Sequence, residues 1–299
     1  MLTRRVVLKG FMAGFASLFA FAAYPFIEVM AWPRITRHAL KPRGWTPGLK
    51  LRIVALADFH ACAPWMTASR IEEICATANA LDADLILLLG DYVAGTNMVS
   101  EHVHSSDWAR ALATLRAPLG VHAILGNHDY WEDIGFQEDP RKDNIATAAL
   151  RDVGIKTYVN QADRLEKDGH RFWLAGLGDQ MALRAGARFN RRRMMGIDDL
   201  DGTLEQVTDD APVILMAHEP DIFPQVSDRI GLTLSGHTHG GQINILGWRP
   251  AAASLGSERY PGGHYHEDGR DLIVSKGLGC SVVPIRFGSR PEINLIELG

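Results

Sequence analysis

Short apolar segments that alternate with helical segments are the feature of this sequence that most restricts its fold. Segments 51–57 (LRIVALA), 85–89 (LILLL) and 213–217 (VILMA) are apolar apart from Arg52 and have the length of a strand. A strand without a polar side must be covered on both faces, which is typical of buried sheets packed between helices. The sequence therefore predicts an α/β domain. Further segments of this type are 121–125, 155–159, 172–177, 232–235, 272–275 and 293–298.

Helices are predicted mainly in the first half of the chain. Ser69 and Glu72 have the spacing of a capping box, and further helices are predicted from near Asp107 and near Asn144. The second half has one clear helical pattern, from about residue 200, and a short one after Pro220. Because strands outnumber helices there, the chain is expected to build two sheets rather than one.

The composition limits the class of protein further. With 299 residues, of which 46% are hydrophobic, the chain is long enough for one large domain or two small ones. A net charge of −4 and a pI near 6.3 give no reason to expect a nucleic acid partner. The three cysteines, Cys62, Cys75 and Cys280, form no C-x-x-C pair and are interpreted as small buried residues.

The N-terminus differs from the rest of the sequence. Arg4 and Arg5 precede an uncharged apolar stretch at 10–27, which is close to the shortest length that spans a bilayer. The order of these features resembles a twin-arginine export signal. One position departs from that pattern, because Val7 stands where the signal usually has Phe.

Three regions of the chain follow from this pattern. We predict a twin-arginine signal peptide or membrane anchor at 1–31, a linker at 32–49 and the folded domain at 50–299. Export would place the domain in the periplasm or at the outer face of the inner membrane. Positive charges on both sides of the apolar stretch leave a second topology open, a membrane anchor with the domain facing the cytoplasm. Cleavage of the signal is also left open.

Polar residues of a restricted set follow five of the apolar segments. Because ligands of α/β sheets gather outside the carboxyl ends of the strands, these side chains are expected to meet at one rim. Glycines beside them allow sharp turns of the backbone. The residues are Asp58 and His60, then Asp91, then Asn127 with His128 and Asp129, then His218, and finally His237 with His239.

The chemical types in this set favour a metal centre. Carboxylate oxygen, imidazole nitrogen and amide oxygen suit divalent transition metals, and the absence of thiolate argues against a structural zinc site. Each residue alone has a simpler interpretation: Asp91 as a helix cap, His218 as a core histidine, Asn127 as part of an Asx turn. Their joint occurrence at five strand ends favours metal binding over these alternatives.

Five blocks together carry a resemblance to a known family, the calcineurin-like metallophosphoesterases. The resemblance implies a four-layer α/β/β/α sandwich and two divalent metal ions, which are Mn, Fe, Zn or Co. The segments at 275–279 (SKGLG) and 284–298 (PIRFGSRPEINLIEL) further resemble the exported bacterial branch of that family. The five blocks are D-x-H at 58–60, GD at 90–91, GNHD at 126–129, His218, and GHTH at 236–239.

The resemblance also implies a ligand set for each metal. Asp91 is expected to bridge the two ions, and the two histidines of the GHTH block are expected to serve different ions. The first metal would be held by Asp58, His60, Asp91 and His239, and the second by Asp91, Asn127, His218 and His237.

The implied function is hydrolysis of phosphodiester or pyrophosphate bonds, by a metal-bridging hydroxide that attacks phosphorus. His128 is not a ligand in this scheme and is expected to protonate the leaving group or polarise the phosphate, with Asp129 orienting its imidazole. Arg286 is assigned to the substrate phosphate by resemblance, with a surface or packing role as the alternative. The substrate can be linked to a lipid, and the oligomeric state is left open.

Two alternative functions are kept. One is a membrane-associated UDP-2,3-diacylglucosamine pyrophosphatase of lipid A synthesis, with the basic run at 191–193 near the head group. The other is a non-catalytic binding module of the cell envelope, against which the complete set of seven ligands argues. Four more histidines with i, i+2 spacing are interpreted as loop residues rather than ligands, namely His102, His104, His264 and His266.

Overall fold

Two six-stranded sheets packed face to face form the centre of the molecule. The computed structural model describes residues 3–299, so the first two residues of the predicted segment 1–31 lie outside it. The helices are α1 Arg4–Val29, α2 Ala68–Asn79, α3 Ser105–Leu112, α4 Asn127–Trp131, α5 Ile134–Glu138, α6 Ile145–Asp152, α7 Leu200–Leu204 and α8 Leu255–Arg259.

The strands alternate with these helices in the first half of the chain and follow one another more closely in the second. They are β1 Arg34–Leu40, β2 Leu51–Leu56, β3 Cys62–Ala63, β4 Leu85–Leu89, β5 Glu101–His102, β6 Val121–Ile124, β7 Lys156–Thr157, β8 Gln161–Lys167, β9 His170–Gly176, β10 Val213–Met216, β11 Leu232–Ser235, β12 Gly263–Glu267, β13 Arg270–Val274 and β14 Glu292–Leu298.

Most neighbouring strands in the two sheets are parallel. The first sheet has the order β1-β14-β2-β4-β6-β7, and only the β14–β2 pair in it is antiparallel. The second sheet has the order β12-β13-β11-β10-β9-β8, with antiparallel pairs at its two edges. Parallel strands end at the same edge, so the loops that follow β2, β4 and β6 emerge together.

Three apolar layers separate four layers of secondary structure. Val54 packs toward α2 and α3, while its neighbour Ala55 faces the second sheet, so a central strand needs apolar residues at every position. The outer face of the second sheet is covered by α7 and a 3-10 turn at Pro220–Gln225. The arrangement is the four-layer α/β/β/α sandwich that the resemblance implied.

The N-terminal region forms a long helix and an edge strand. Within α1, the segment Leu8–Val29 is long and apolar enough to cross a membrane, which fits a membrane anchor or a signal sequence. The predicted linker 32–49 instead contributes β1, which pairs in parallel with β14. Four of the seven β1 residues are polar and none of the seven is fully buried, because an edge strand has a solvent-facing side. The search for apolar segments therefore missed this strand.

Two other edge strands, β8 and β12, were missed for the same reason. His264 and His266 lie on β12 and His102 lies on the short strand β5, which corrects their interpretation as loop residues. The imidazoles of His264 and His266 contact one carboxylate oxygen of Asp271 at 2.7 and 2.9 Å. The segment predicted as a strand at 155–159 is shorter in the structure, where only Lys156–Thr157 pairs with β6.

Candidate metal centre

The seven predicted ligands lie together at the carboxyl ends of strands from both sheets. Asp58 and His60 follow β2, Asp91 follows β4, and Asn127 begins α4 directly after β6. From the second sheet, His218 follows β10, and the GHTH block follows β11. All seven side chains are buried. Their convergence is the geometry that the strand-end pattern predicted.

One group of ligand atoms forms around His60 and His239. Their Nε2 atoms are 3.0 Å apart, and the two rings are stacked with an interplanar angle of 17°. Asp91 Oδ2 lies 3.5 Å from His60 Nε2, and Asp58 Oδ1 lies 3.8 Å from His239 Nε2. Two imidazoles and two carboxylates thus face one small volume, as the first predicted ligand set requires.

A second group forms on the other side of Asp91. His218 Nε2 lies 3.3 Å from Asp91 Oδ2, and His237 Nδ1 lies 2.9 Å from Asn127 Oδ1. The same oxygen of Asp91 therefore faces His60 in one group and His218 in the other. This sharing of one carboxylate between two groups is the arrangement expected of a bridging ligand.

Backbone amides hold one oxygen of each carboxylate. At Asp91 the other oxygen faces the histidines, whereas at Asp58 the held oxygen is itself the one that faces His239. His237 N donates to Asp58 Oδ1 at 2.9 Å, and His128 N donates to Asp91 Oδ1 at 2.9 Å. Asp58 Oδ2, His218 Nε2 and His237 Nε2 are buried without a hydrogen-bond partner in the described part of the chain. Buried polar atoms without partners are costly unless a cation binds them, so this donor set fits divalent metal ions.

Five of the seven ligands adopt left-handed backbone conformations. Such conformations are uncommon outside glycine and cost about 1–3 kcal/mol each, although Asp and His tolerate them better than most residues. They persist only where the surroundings impose them. The φ angles are 55° at Asp58, 48° at His60, 59° at Asp91, 68° at His237 and 52° at His239.

Gly126 is required by close approach rather than by its own backbone angle. A Cβ atom at this position would lie 2.4 Å from Asp91 Oδ1 and 2.5 Å from His218 Cε1. Any side chain there would displace the shared carboxylate. The glycine of the GNHD block therefore makes room for the metal centre.

Asp129 braces the loop of Asp91 instead of orienting His128, which corrects the sequence-based prediction. Its carboxylate accepts hydrogen bonds from four backbone amides. The donors are Gly126 N at 2.9 Å, Asp91 N at 2.8 Å, Tyr92 N at 2.8 Å and Val93 N at 3.2 Å. The carboxylate ties the loop after β4 to the loop after β6 and thereby sets the backbone of two ligands.

His128 lies beside the metal ligands with partners other than Asp129. Its Nε2 is 3.2 Å from Ser281 Oγ, and its ring meets the ring of His60 edge to face at 5.0 Å between centroids. The side chain is 14% exposed, so it reaches both the ligand cluster and the cleft above it. This position allows it to contact a bound substrate.

Arg286 is buried behind His239 rather than facing the substrate, so the packing alternative is the correct one. Its Nη2 atom is 3.1 Å from His239 Nδ1, and its Nε and both Nη atoms donate to the carbonyl oxygens of neighbouring loops. The side chain is fully buried, and burial lowers the pKa of the guanidinium to about 10. Arg286 therefore positions a ligand histidine instead of binding phosphate.

Burial keeps the imidazoles of His60, His237 and His239 neutral, whereas at His218 burial is outweighed by the charge of Asp91, which raises the pKa well above its usual value. Burial lowers the pKa of His60 to about 4 and that of His237 to about 3, so both rings offer a lone pair at neutral pH. Burial alone would raise the pKa of Asp91, but the imidazoles of His218, His128 and His60 hold it well below its usual value. The shared carboxylate is therefore ionised, as a ligand must be.

A cleft of about 330 Å³ opens above the ligands and has two chemically different sides. We call the side formed by Asp91, Asn127 and His128 the polar floor. We call the apolar part of the lining the apolar wall, and it consists of Ile243, 250–253 (PAAA), Val282 and Val283. A phosphate at the polar floor would leave the rest of its molecule against the apolar wall.

Comparison with known proteins identifies the family. The family model described as calcineurin-like phosphoesterase matches residues 51–241, more than half of the chain. This chain belongs to the calcineurin-like phosphoesterases. The family depends on two metal ions, and the chain is a metal-dependent phosphoesterase with candidate metal ligands in place.

Three relatives of this metallophosphoesterase show how far the similarity extends. The metallophosphoesterase YkuE of Bacillus subtilis is 30% identical over 99% of this chain and 98% of its own length. The phosphodiesterase YaeI of Escherichia coli is 27% identical over 100% of both. A transmembrane protein with a metallophosphoesterase domain from Danio rerio is 30% identical over 83% of this chain and 53% of its own length. These matches give no support to the alternative of a non-catalytic module.

Sequence reasoning about this phosphoesterase missed a buried pair of carboxyl groups behind the centre. Asp179 follows β9 and Glu219 follows His218, and both are almost completely buried. Burial, together with the charge of Glu219, raises the pKa of Asp179 well above its usual value, and burial likewise raises the pKa of Glu219. An acidic residue directly after a ligand histidine was the available signal, but nothing in the sequence indicated its partner.

Proposed function

We propose that this phosphoesterase hydrolyses phosphodiester or pyrophosphate bonds with two divalent metal ions. The observation that carries the proposal is the position of Asp91 Oδ2, which faces both His60 and His218. The first ion would be held by Asp58, His60, Asp91 and His239, and the second by Asp91, Asn127, His218 and His237. When bound, the two ions supply a strong nucleophile from water at neutral pH and positive charge for the phosphate.

The residues of the chain have separate tasks in this proposal. Asn127 and His128 lie on the polar floor, where a bound phosphate would meet them. His128 donates a proton to the leaving oxygen or a hydrogen bond to the phosphate, and Ser281 holds its Nε2 side through the contact at 3.2 Å. Asp129 acts on the backbone, and Arg286 fixes the ring of His239 from behind. The apolar wall excludes water from one side of the cleft.

We further propose that α1 is retained as a membrane anchor after export by the twin-arginine route. Tyr24 contacts Phe287 with 5.5 Å between ring centroids, and Glu28 accepts hydrogen bonds from the amides of Gly288 and Ser289 at 2.9 Å each. The C-terminal end of the helix is thus part of the folded domain. Intact Met1 in protein recovered from membranes, determined by mass spectrometry, is the expected result, and a mature chain that begins after Ala22 would contradict retention.

A second candidate function is hydrolysis of UDP-2,3-diacylglucosamine with the domain facing the cytoplasm. The apolar wall beside the polar floor favours it, because this substrate carries acyl chains next to a pyrophosphate. The basic run at 191–193 gives it less support, since Arg191 donates to Gln137 and lies outside the lining of the cleft.

The test is turnover by the full chain in detergent, supplied in turn with Mn²⁺, Fe²⁺, Zn²⁺ and Co²⁺. The panel contains a generic monoester, a generic diester and UDP-2,3-diacylglucosamine, and Asp91→Asn controls for contaminating enzymes. Cleavage of the diester or the sugar nucleotide by the wild type alone supports the proposal. Absence of turnover with every metal, or equal turnover by Asp91→Asn, contradicts it.

A further inference from the structure

The apolar wall restricts the chemistry of the substrate beyond its phosphate. Ile243, Ala251, Ala253, Val282 and Val283 present methyl and methylene groups to the cleft. These side chains offer no hydrogen bonds to sugar hydroxyls or to a nucleobase, and they stabilise apolar groups that leave water. The group attached to the phosphate on this side is therefore expected to be apolar.

Exposed apolar side chains lie next to the apolar wall in the sequence, between Ile243 and Pro250. A tight turn closed by reciprocal hydrogen bonds between Ile245 and Trp248, at 2.9 and 3.0 Å, carries Leu246 fully into solvent. Trp248 is 62% exposed and Val282 is 75% exposed. We call residues 245–248 the apolar turn. Large apolar residues grouped in this way are typical of surfaces that contact a membrane or a ligand.

Two of these exposed apolar residues, Leu246 and Val282, also have a left-handed backbone conformation. Leu246 has a φ of 53° and Val282 has a φ of 62°. A left-handed conformation is a true outlier for a branched residue such as valine, and it costs free energy that the contacts of an exposed side chain do not return. Strained and exposed apolar residues beside a catalytic cleft indicate a binding role rather than a packing role.

The turn and the wall are linked to each other and to α1. Gln242 connects the two loops, because its side chain accepts from Ser281 N at 2.6 Å and donates to Val283 O at 3.2 Å. Asn244 N donates to Phe287 O at 2.7 Å, and the ring of Phe287 contacts Phe21 of α1 at 5.4 Å between centroids. The mouth of the cleft is therefore built on the segment to which the N-terminal helix docks.

Before its docked C-terminal end, the helix has apolar side chains that are exposed among the described residues. Phe11, Phe15 and Leu18 are 77%, 73% and 66% exposed, and the segment is long enough to cross a bilayer. A helix that lies in a membrane and docks beside the cleft brings the mouth of the cleft to the membrane surface. The apolar turn then has a bilayer within reach.

We propose that the substrate is an amphiphilic phosphoester that enters from the bilayer. Its alkyl or acyl chain lies along the apolar turn and the apolar wall, and its phosphate lies at the polar floor. This inference rests on the proposed phosphoesterase function and adds the class of molecule on which that function acts. Water adds across one P–O bond, and the products are a phosphomonoester and an alcohol or a phenol.

Two matched diesters test the inference, hexadecyl 4-nitrophenyl phosphate and ethyl 4-nitrophenyl phosphate. Both are offered to the full chain in lipid nanodiscs with Mn²⁺, and release of 4-nitrophenolate gives kcat/KM for each. We expect the wild type to prefer the long-chain compound at least about tenfold, since burial of two methylene groups suffices for that factor. Metal content is measured for every preparation.

Partition into the membrane concentrates the long-chain compound for any enzyme, so variants of the apolar turn decide the question. Leu246→Asp and Trp248→Asp should each reduce the ratio of the two kcat/KM values at least about fivefold, because the charged group repels the alkyl chain. Ile145→Asp is the matched control, since Ile145 is 55% exposed on α6 and does not line the cleft. It should leave the ratio unchanged.

The outcomes separate this inference from the proposed function. If the wild type cleaves neither diester, the proposed phosphodiesterase function fails. If it cleaves both with a ratio near one, the function stands and the amphiphilic substrate is excluded. A high ratio that neither variant reduces would show that the chain of the substrate does not lie along the apolar turn, and this too overturns the inference.

Discussion

The polar floor of the cleft and its apolar wall are built in opposite ways. The floor consists of buried polar residues whose loops are fixed by backbone hydrogen bonds, as in the four amides bound by Asp129. The wall consists of partly exposed apolar residues such as Val282, held by contacts between neighbouring loops. From this difference we infer separate roles. The rigid floor supports the reaction that the family shares, and the residues of the wall can vary and thereby determine which substrate binds.

Loss of the carboxylate shared by the two ligand groups should have the largest effect, because the polar floor depends on it for metal binding and turnover. Asp91→Asn removes the ionised oxygen that faces both ligand groups, so we expect loss of both metal ions and a fall of turnover to the level of metal-free protein. Metal analysis and turnover measure this. Asp82→Asn is the control, because Asp82 has the same left-handed backbone but lies at the surface. Two tightly bound ions in Asp91→Asn would refute the bridging role.

Removal of the His128 imidazole should lower the rate of hydrolysis without loss of the metal ions. We expect His128→Ala to reduce kcat about 10²–10⁴-fold, the usual contribution of a positioned acid or base, with both metal ions retained. The exposed histidine in His102→Ala serves as the control. A full rate with normal metal content would assign His128 to turn stabilisation alone.

Replacement of the buried Arg286 should weaken binding of the first metal ion. Arg286→Lys keeps the charge but loses the planar fork that holds His239 and three loop carbonyls, so the affinity for the first metal should fall about 10–100-fold. Metal titration measures the affinity, and a thermal melt of the metal-free protein reports whether the variant folds. Arg290→Lys changes an exposed arginine on the same loop and should leave the affinity intact.

The smallest effect is expected for the buried carboxyl group of Asp179, whose replacement should change the stability of the fold and not the reaction. Burial raises the pKa of Asp179 in the folded state, so the folded protein binds more protons than the unfolded chain, and stability falls as the pH rises above about 4. Asp179→Asn removes this loss and should raise the Tm by about 2–4 °C at pH 8, with a smaller gain at pH 5. Asp168→Asn, at an exposed turn, should change the Tm at neither pH. A lower Tm for Asp179→Asn at pH 8 would show that the carboxylate is stabilising.

The sequence predicted the floor much better than the surroundings of the floor. The central strands are apolar at nearly every position, with Arg52 as the exception in β2, because both their faces are buried. This makes them and their polar ends easy to recognise. Edge strands such as β1 alternate weakly between apolar and polar residues, so the sequence predicts a linker or loops there. The roles of Asp129 and Arg286 depend on partners far away in the sequence, such as Asp91 and His239, and no local pattern reports such partners.

The left-handed backbone at the ligand positions restricts how this site can change over evolutionary time. A residue there must satisfy the metal and also accept a positive φ, as at Asp58 and His237. Asp, Asn, His and Gly meet the second demand readily, whereas Val, Ile and Thr meet it only with strain, as at Val282. In a lineage that lost its metal ions, the backbone would still restrict these positions to the same few residue types. Surviving Asp and His residues in such a descendant would therefore be poor evidence of retained catalysis, and measured metal content would be needed instead.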